Sequence, residues 1–148
     1  MTAVADEVVL EIKRIFAAAP GIVFDAWFER EQWQAWIGPE GTYCEVPLLE
    51  PHLGGRYRIN MNLSDGRRIP VIGVFKTVER PSHLAFTWGW EGEGRESLVT
   101  LTFRAVDGGT EMTLRHDGLE TLENRDGHGR GWNSALNKLV KYLEFVSS

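Results

Sequence analysis

The chain is 148 residues long, with 43% hydrophobic and 25% charged residues, a size and balance that suit one soluble domain with a substantial core. Its net charge of -5 and pI near 5.4 give no general attraction to phosphate backbones or anionic lipid, so neither nucleic acid nor a membrane surface is expected as a partner. The lone cysteine, Cys44, excludes an intrachain disulfide, and no run approaches the roughly 18 apolar residues of a membrane span.

The N-terminal MTAVADEVV lacks a basic region and a long apolar run, so it does not read as a secretory leader. A cytoplasmic protein is expected, and the glycosylation pattern Asn62-Leu63-Ser64 then carries no meaning. Val8 to Phe16 alternates, with Val8, Leu10 and Ile12 against Val9, Glu11 and Lys13, and predicts a first strand. Pro20 opens a helix. Val23, Phe24, Trp27 and Phe28 fall at helical spacing on its inner face. A second short helix spans Arg30 to Trp36, carries Trp33 and Trp36, and ends at Gly38-Pro39.

Strands follow. Thr42 to Leu48 is one. Gly55 to Leu63 is the next, with Tyr57, Ile59 and Met61 on one face, and Ser64-Asp65-Gly66 turns it back. Arg68 to Glu79 has two candidate inner sets: Val71, Gly73 and Phe75, or Ile72, Val74 and Val78. A bulge at Gly73 reconciles them. Arg80-Pro81-Ser82 leads into a strand whose even positions, Leu84, Phe86, Trp88 and Trp90, share one face. A last hairpin around Asp107-Gly108-Gly109 places Val99, Leu101 and Phe103 opposite Met112, Leu114 and His116. Gly118 to Gly131 reads as a glycine-rich, charged loop. Trp132, Ala135, Leu136, Leu139, Val140 and Leu143 then mark the apolar face of one long helix. Strand, two helices, about six strands and a long helix make an antiparallel sheet with helices on one face, an α+β layer design.

That order is the helix-grip, START-like arrangement. Pro20 with Phe24-Asp25-Ala26-Trp27, and Trp36-Ile37-Gly38-Pro39, resemble the AHSA-type branch of the START-like (SRPBCC) superfamily, named for a co-chaperone domain that activates a heat-shock ATPase. So do Gly54-Gly55-Arg56-Tyr57, Asp65-Gly66, Gly73, Arg80-Pro81, Phe86-Thr87-Trp88, Gly109-Thr110, His116-Asp117-Gly118 and Gly131-Trp132. The resemblance runs from about Leu10 to Leu143 and takes residues 1–148 as one domain. Ile37 and Trp33 depart from it, standing where the family often has tryptophan and leucine.

The resemblance implies a curved sheet of six to seven strands gripping the C-terminal helix, with a cavity between. Tyr57, Ile59, Met61, Phe86, Trp88 and Trp90 on the sheet are then candidate ligand-binding residues, with Val99, Leu101 and His116 beside them. Trp132, Leu136 and Val140 face them from the helix. The plainer reading is that the tryptophans fill a solid core. Trp90, at the strand end, is placed to meet solvent or ligand before Trp88.

Chemistry has less support. His52, His83, His116 and His128 contain no i, i+4 pair, and there is neither a CxxC nor a GxSxG, so no metal, cofactor or serine nucleophile is expected. His116 is the candidate general acid or base, against the plainer reading of a buried, hydrogen-bonded histidine. Asp126 to Gly131 reads as a lip over the cavity, where Arg130 or His128 would meet an acidic ligand group. Glu91, Glu93 and Glu96 read as a solvated turn.

Three functions remain open. One is binding of a small apolar or aromatic molecule. Another is a cyclase- or hydrolase-like reaction in the same cavity using His116. The third is a protein-interaction module. A heat-shock chaperone partner is not expected, because the partner-binding domain that accompanies the co-chaperone domain is missing. Apolar surface at Trp33 or Ile37 would allow a homodimer.

Overall fold

A computed structural model describes residues 8–147; the reading of the leader falls mostly outside them. The strands are β1 (Leu10–Phe16), β2 (Tyr43–Leu49), β3 (Arg56–Asn62), β4 (Arg68–Glu79), β5 (His83–Trp90), β6 (Ser97–Val106) and β7 (Gly109–Asp117). The helices are α1 (Pro20–Phe28), α2 (Arg30–Trp36) and α3 (Leu122–Ser147). All seven strands join one antiparallel sheet in the order β1-β7-β6-β5-β4-β3-β2. The sheet is curved, and the helices pack on its concave face, as the helix-grip arrangement requires.

The predicted strand parities place the core. Register pairs Val99 with His116, Leu101 with Leu114 and Phe103 with Met112, and all six are buried. Leu136, Leu139 and Leu143 of α3 belong to the same buried cluster. Pro20 starts α1 without a side-chain cap, its fixed φ supplying the helical geometry. The extended backbone at Glu29 ends α1 and begins α2, and the two helices deliver Trp27, Trp33 and Trp36 fully buried. Trp27 and Trp36 meet edge-on at 4.7 Å, Trp33 meets Tyr57 at 5.0 Å, and Trp36 donates its indole N–H to Ala26 O at 2.9 Å.

α3 is tied across the sheet from both sides. Arg14 of β1 donates to Asn137 Oδ1 at 3.0 Å. From the segment after α2, the Glu40 N–H donates to Ser134 Oγ at 2.7 Å, and Lys138 donates to Ile37 O at 3.2 Å.

The structure corrects three expectations. The stretch Gly118 to Gly131 is a loop only to Thr121, whose Oγ1 caps the Asn124 N–H at 3.0 Å. The following residues are the first turns of α3, so Gly127, Gly129 and Gly131 are helical and form no anion-binding loop or lip. Packing against the sheet overrides their low helix propensity. The bulge in β4 lies between Phe75 and Thr77, not at Gly73: Val71 and Phe75 are buried, Ile72 is exposed, and the bulge returns Val78 to the core. Trp33 and Ile37 are both buried, so they offer no apolar surface for a dimer.

Gly73 has another role. The Tyr57 ring crosses it to donate its hydroxyl proton to Thr87 O. A Cβ at Gly73 would stand 2.1 Å from Thr87 O and 2.5 Å from the Tyr57 ring, closer than atoms can pack. Gly73→Ala therefore displaces backbone or expels the ring. Urea unfolding should show a loss of more than about 2 kcal/mol. A loss within about 0.5 kcal/mol would mean that Tyr57 does not lie there.

Candidate functional site

The stripe of Leu84, Phe86, Trp88 and Trp90 changes character along β5. Leu84 and Phe86 are fully buried in the core, Trp88 is nearly so, and Trp90 is partly exposed. Beyond Phe86 the sheet and α3 border a cavity of about 290 Å³. Its floor is Met61 of β3, Ile69 of β4, and Trp88 and Trp90 of β5. Ile37, Gly38 and Pro39 form one side. The roof is α3, with Gly127, Gly131 and Ala135 interleaved with Asn124, His128 and Trp132.

The roof explains the glycines. Residues 127, 131 and 135 recur every four positions, so they share one helix face. A Cβ at Gly127 would meet nothing nearer than the Arg130 guanidinium at 3.7 Å, and one at Gly131 nothing nearer than Pro39 at 3.9 Å. Space exists here because side chains are missing. A sequence rule that treats clustered glycines as loop cannot see this.

Of the expected ligand-binding residues, Met61, Trp88, Trp90 and Trp132 line the cavity. Tyr57, Ile59, Phe86, Val99, Leu101 and Leu136 are at most 1% exposed in the packed core, and Val140 packs against it. Ile37, Leu63, Ile69, Asn124, Gly127 and Ala135 line the cavity and were not expected as binding residues. Ile69 and Leu63 lie at strand ends, where parity is hardest to assign. Arg130 does not reach the cavity; it borders a shallow groove with Leu10, Asp126 and Asn133.

His116 faces inward and is fully buried. Trp132 Nε1 lies 3.0 Å from its Nδ1. An indole N–H only donates, so Nδ1 accepts and Nε2 carries the proton. Ser97 Oγ lies 2.7 Å from Nε2 and accepts that proton, then donates its own to Trp88 O at 3.0 Å. The chain Trp132–His116–Ser97–Trp88 is thus fully satisfied with a neutral imidazole. Burial first, and His128 beside it second, lower the His116 pKa from 6.5 to about 3. The His128 ring stands edge-on to it at 5.1 Å. Among the described residues no cluster of acidic, histidine and cysteine side chains is placed to hold a metal, and no helix is long and apolar enough to cross a membrane.

The model of the family described as activator of Hsp90 ATPase homolog 1-like protein matches residues 17–144. The AHSA1 protein from Silicibacter pomeroyi is similar in structure, with 32% identity, a TM-score of 0.83, and coverage of 93% of this chain and 98% of that one. A protein from Rhodobacter sphaeroides shares 30% identity with a TM-score of 0.79, covering 92% of each chain. One from Chromobacterium violaceum, at 20% identity, has a TM-score of 0.84 and covers 93% and 98%. No curated protein matches the sequence.

The buried imidazole has a pH consequence. The unfolded chain takes up a proton on His116 below about pH 6.5, and the folded chain not until about pH 3. This contribution to stability is complete above pH 6.5 and is lost as the pH falls towards 3. His116→Gln should be the less stable protein at neutral pH but should lack this loss, so the stability gap narrows on acidification. Urea unfolding of both proteins at about pH 7 and about pH 4.5 measures it. A gap that stays constant would place the acid sensitivity elsewhere.

Proposed function

The chain belongs to the activator of Hsp90 ATPase homolog 1-like protein family, and from that premise we propose that it binds a small apolar or aromatic molecule in the cavity between the sheet and α3. The observation that carries this reading is the cavity wall itself. Trp88 and Trp90 of the sheet, with Trp132 of α3 beside them, line a space over which the helix presents only Gly127, Gly131 and Ala135 on one face. Ligand sites are concave, mostly apolar and roughly 300 to 1,000 Å³; at about 290 Å³ this one suits a small compound. Aromatic walls supply large contact area at little entropic cost.

The reading takes residues 1–148 as one domain that works in the cytoplasm without metal or cofactor. His116 lends little to a cyclase- or hydrolase-like reaction. Both of its nitrogens are engaged, and lowering its pKa to about 3 leaves a very weak base.

Gly127→Leu separates binding from folding. Leucine is the better helix former by roughly 0.8 kcal/mol, and its side chain would enter the cavity. The variant should melt at or above the wild-type temperature yet lose binding of naphthalene or indole, followed by amide shifts at Trp88, Trp90 and Trp132. Equal affinity in variant and wild type would move the site elsewhere. No response of the wild type to any apolar probe would leave the cavity without its assigned role.

A further inference from the structure

Two polar side chains stand on the cavity wall one helical turn apart, and each has a side-chain N–H engaged. Asn124 gives one side-chain N–H to Leu119 O at 2.9 Å, which orients the amide with Oδ1 able to accept. His128 Nδ1 lies 2.9 Å from Asn124 O. A carbonyl only accepts, so in the neutral ring Nδ1 holds the proton and Nε2 keeps its lone pair. Neither Oδ1 nor Nε2 receives a hydrogen bond from the described residues. Both side chains border the apolar cavity on one side and a polar cleft on the other. That cleft carries Glu93, Glu96 and Glu120 against one arginine, Arg95, which pairs with Glu120 at 3.2 Å.

Two oriented lone pairs at the edge of an aromatic chamber select for a hydrogen-bond donor. Surplus carboxylates beside them disfavour an anion. We infer that the ligand is an uncharged aromatic compound bearing a hydroxyl group, a phenol in chemical class, whose ring lies against Trp88, Trp90 and Trp132 and whose O–H donates to Asn124 Oδ1 or His128 Nε2. This rests on the proposed binding function and narrows its ligand. It replaces the expectation of an acidic ligand group at His128. An analogue that cannot donate forgoes that hydrogen bond and keeps only the ring contacts.

The test is calorimetric titration of the full chain at neutral pH with naphthalene, 2-naphthol, 2-methoxynaphthalene and 2-naphthoate. 2-Naphthol should bind about tenfold tighter than naphthalene or the methyl ether, and 2-naphthoate should bind weakest. The double variant Asn124→Val/His128→Phe should lose the preference for 2-naphthol over naphthalene. His128→Gln, which keeps an acceptor, should retain more of it than His128→Phe. If the neutral compounds bind alike, or the carboxylate binds best, the hydroxyl assignment is wrong while the cavity reading stands. If none binds, both fall. A double variant that does not fold leaves the wild-type ligand series to decide alone.

Discussion

A single helix cannot cover the concave face of a seven-stranded sheet. Strands lie about 4.8 Å apart, so the face is roughly 30 Å across, whereas a helix with its side chains is about 10 to 12 Å wide. α3 runs across that face and must leave apolar surface on either side. On one side α1 and α2 close the gap with Trp27, Trp33 and Trp36, all fully buried. At the far ends of β3, β4 and β5 only the Ile37-Gly38-Pro39 segment borders it, and glycine on α3 widens what remains into the cavity. The cavity is thus the unfilled remainder of a geometric mismatch rather than a feature added to a finished core.

The roof and floor of that space are fixed to each other by one polar chain. Trp132 on α3 donates to His116 on β7, and Ser97 on β6 links His116 to the backbone at Trp88 on β5. One imidazole therefore holds the Trp132 indole directly and, through Ser97, the backbone that carries Trp88. The arrangement has its cost. The indole N–H groups of Trp27, Trp33 and Trp88 are buried without a hydrogen-bond partner among the described residues, each an expense of roughly 1 to 3 kcal/mol. Close ring packing offsets it: Trp27 lies 5.7 Å from Trp132, and Trp88 lies 5.0 Å from Trp132.

The sheet was largely legible in the sequence because burial on one face imposes a period of two. Tyr57, Ile59 and Met61 alternate cleanly, and so do Val99, Leu101 and Phe103, and each lies where parity put it. The site was legible only in part. Inward parity marks Phe86 and Trp88 alike, and nothing in the local pattern says that the first is enclosed in the core while the second borders a cavity. That distinction depends on distances between elements remote in the chain. The roof was missed for a different reason. Asp126-Gly127-His128-Gly129-Arg130-Gly131 has the composition of a turn, and only contact with the sheet makes it helical. His116 was correctly placed inward, but its neutral state required Trp132 and Ser97 to be located around it.

The order of the sheet also bears on how the chain must assemble. Each neighbouring pair from β2 to β7 is joined by a short connection, so these strands can add one after another through local contacts. β1 is the exception. Leu10 pairs with His116 and Phe16 with Thr110, partners about a hundred residues apart. During synthesis β1 leaves the ribosome well before its only strand partner exists, and its closure entropy falls due late. Its own sequence fits that wait: Glu11, Lys13 and Arg14 interrupt the apolar positions and discourage pairing with the wrong edge. The strand made first is the strand completed last, and until then both β7 and the Arg14 tether of α3 stand open.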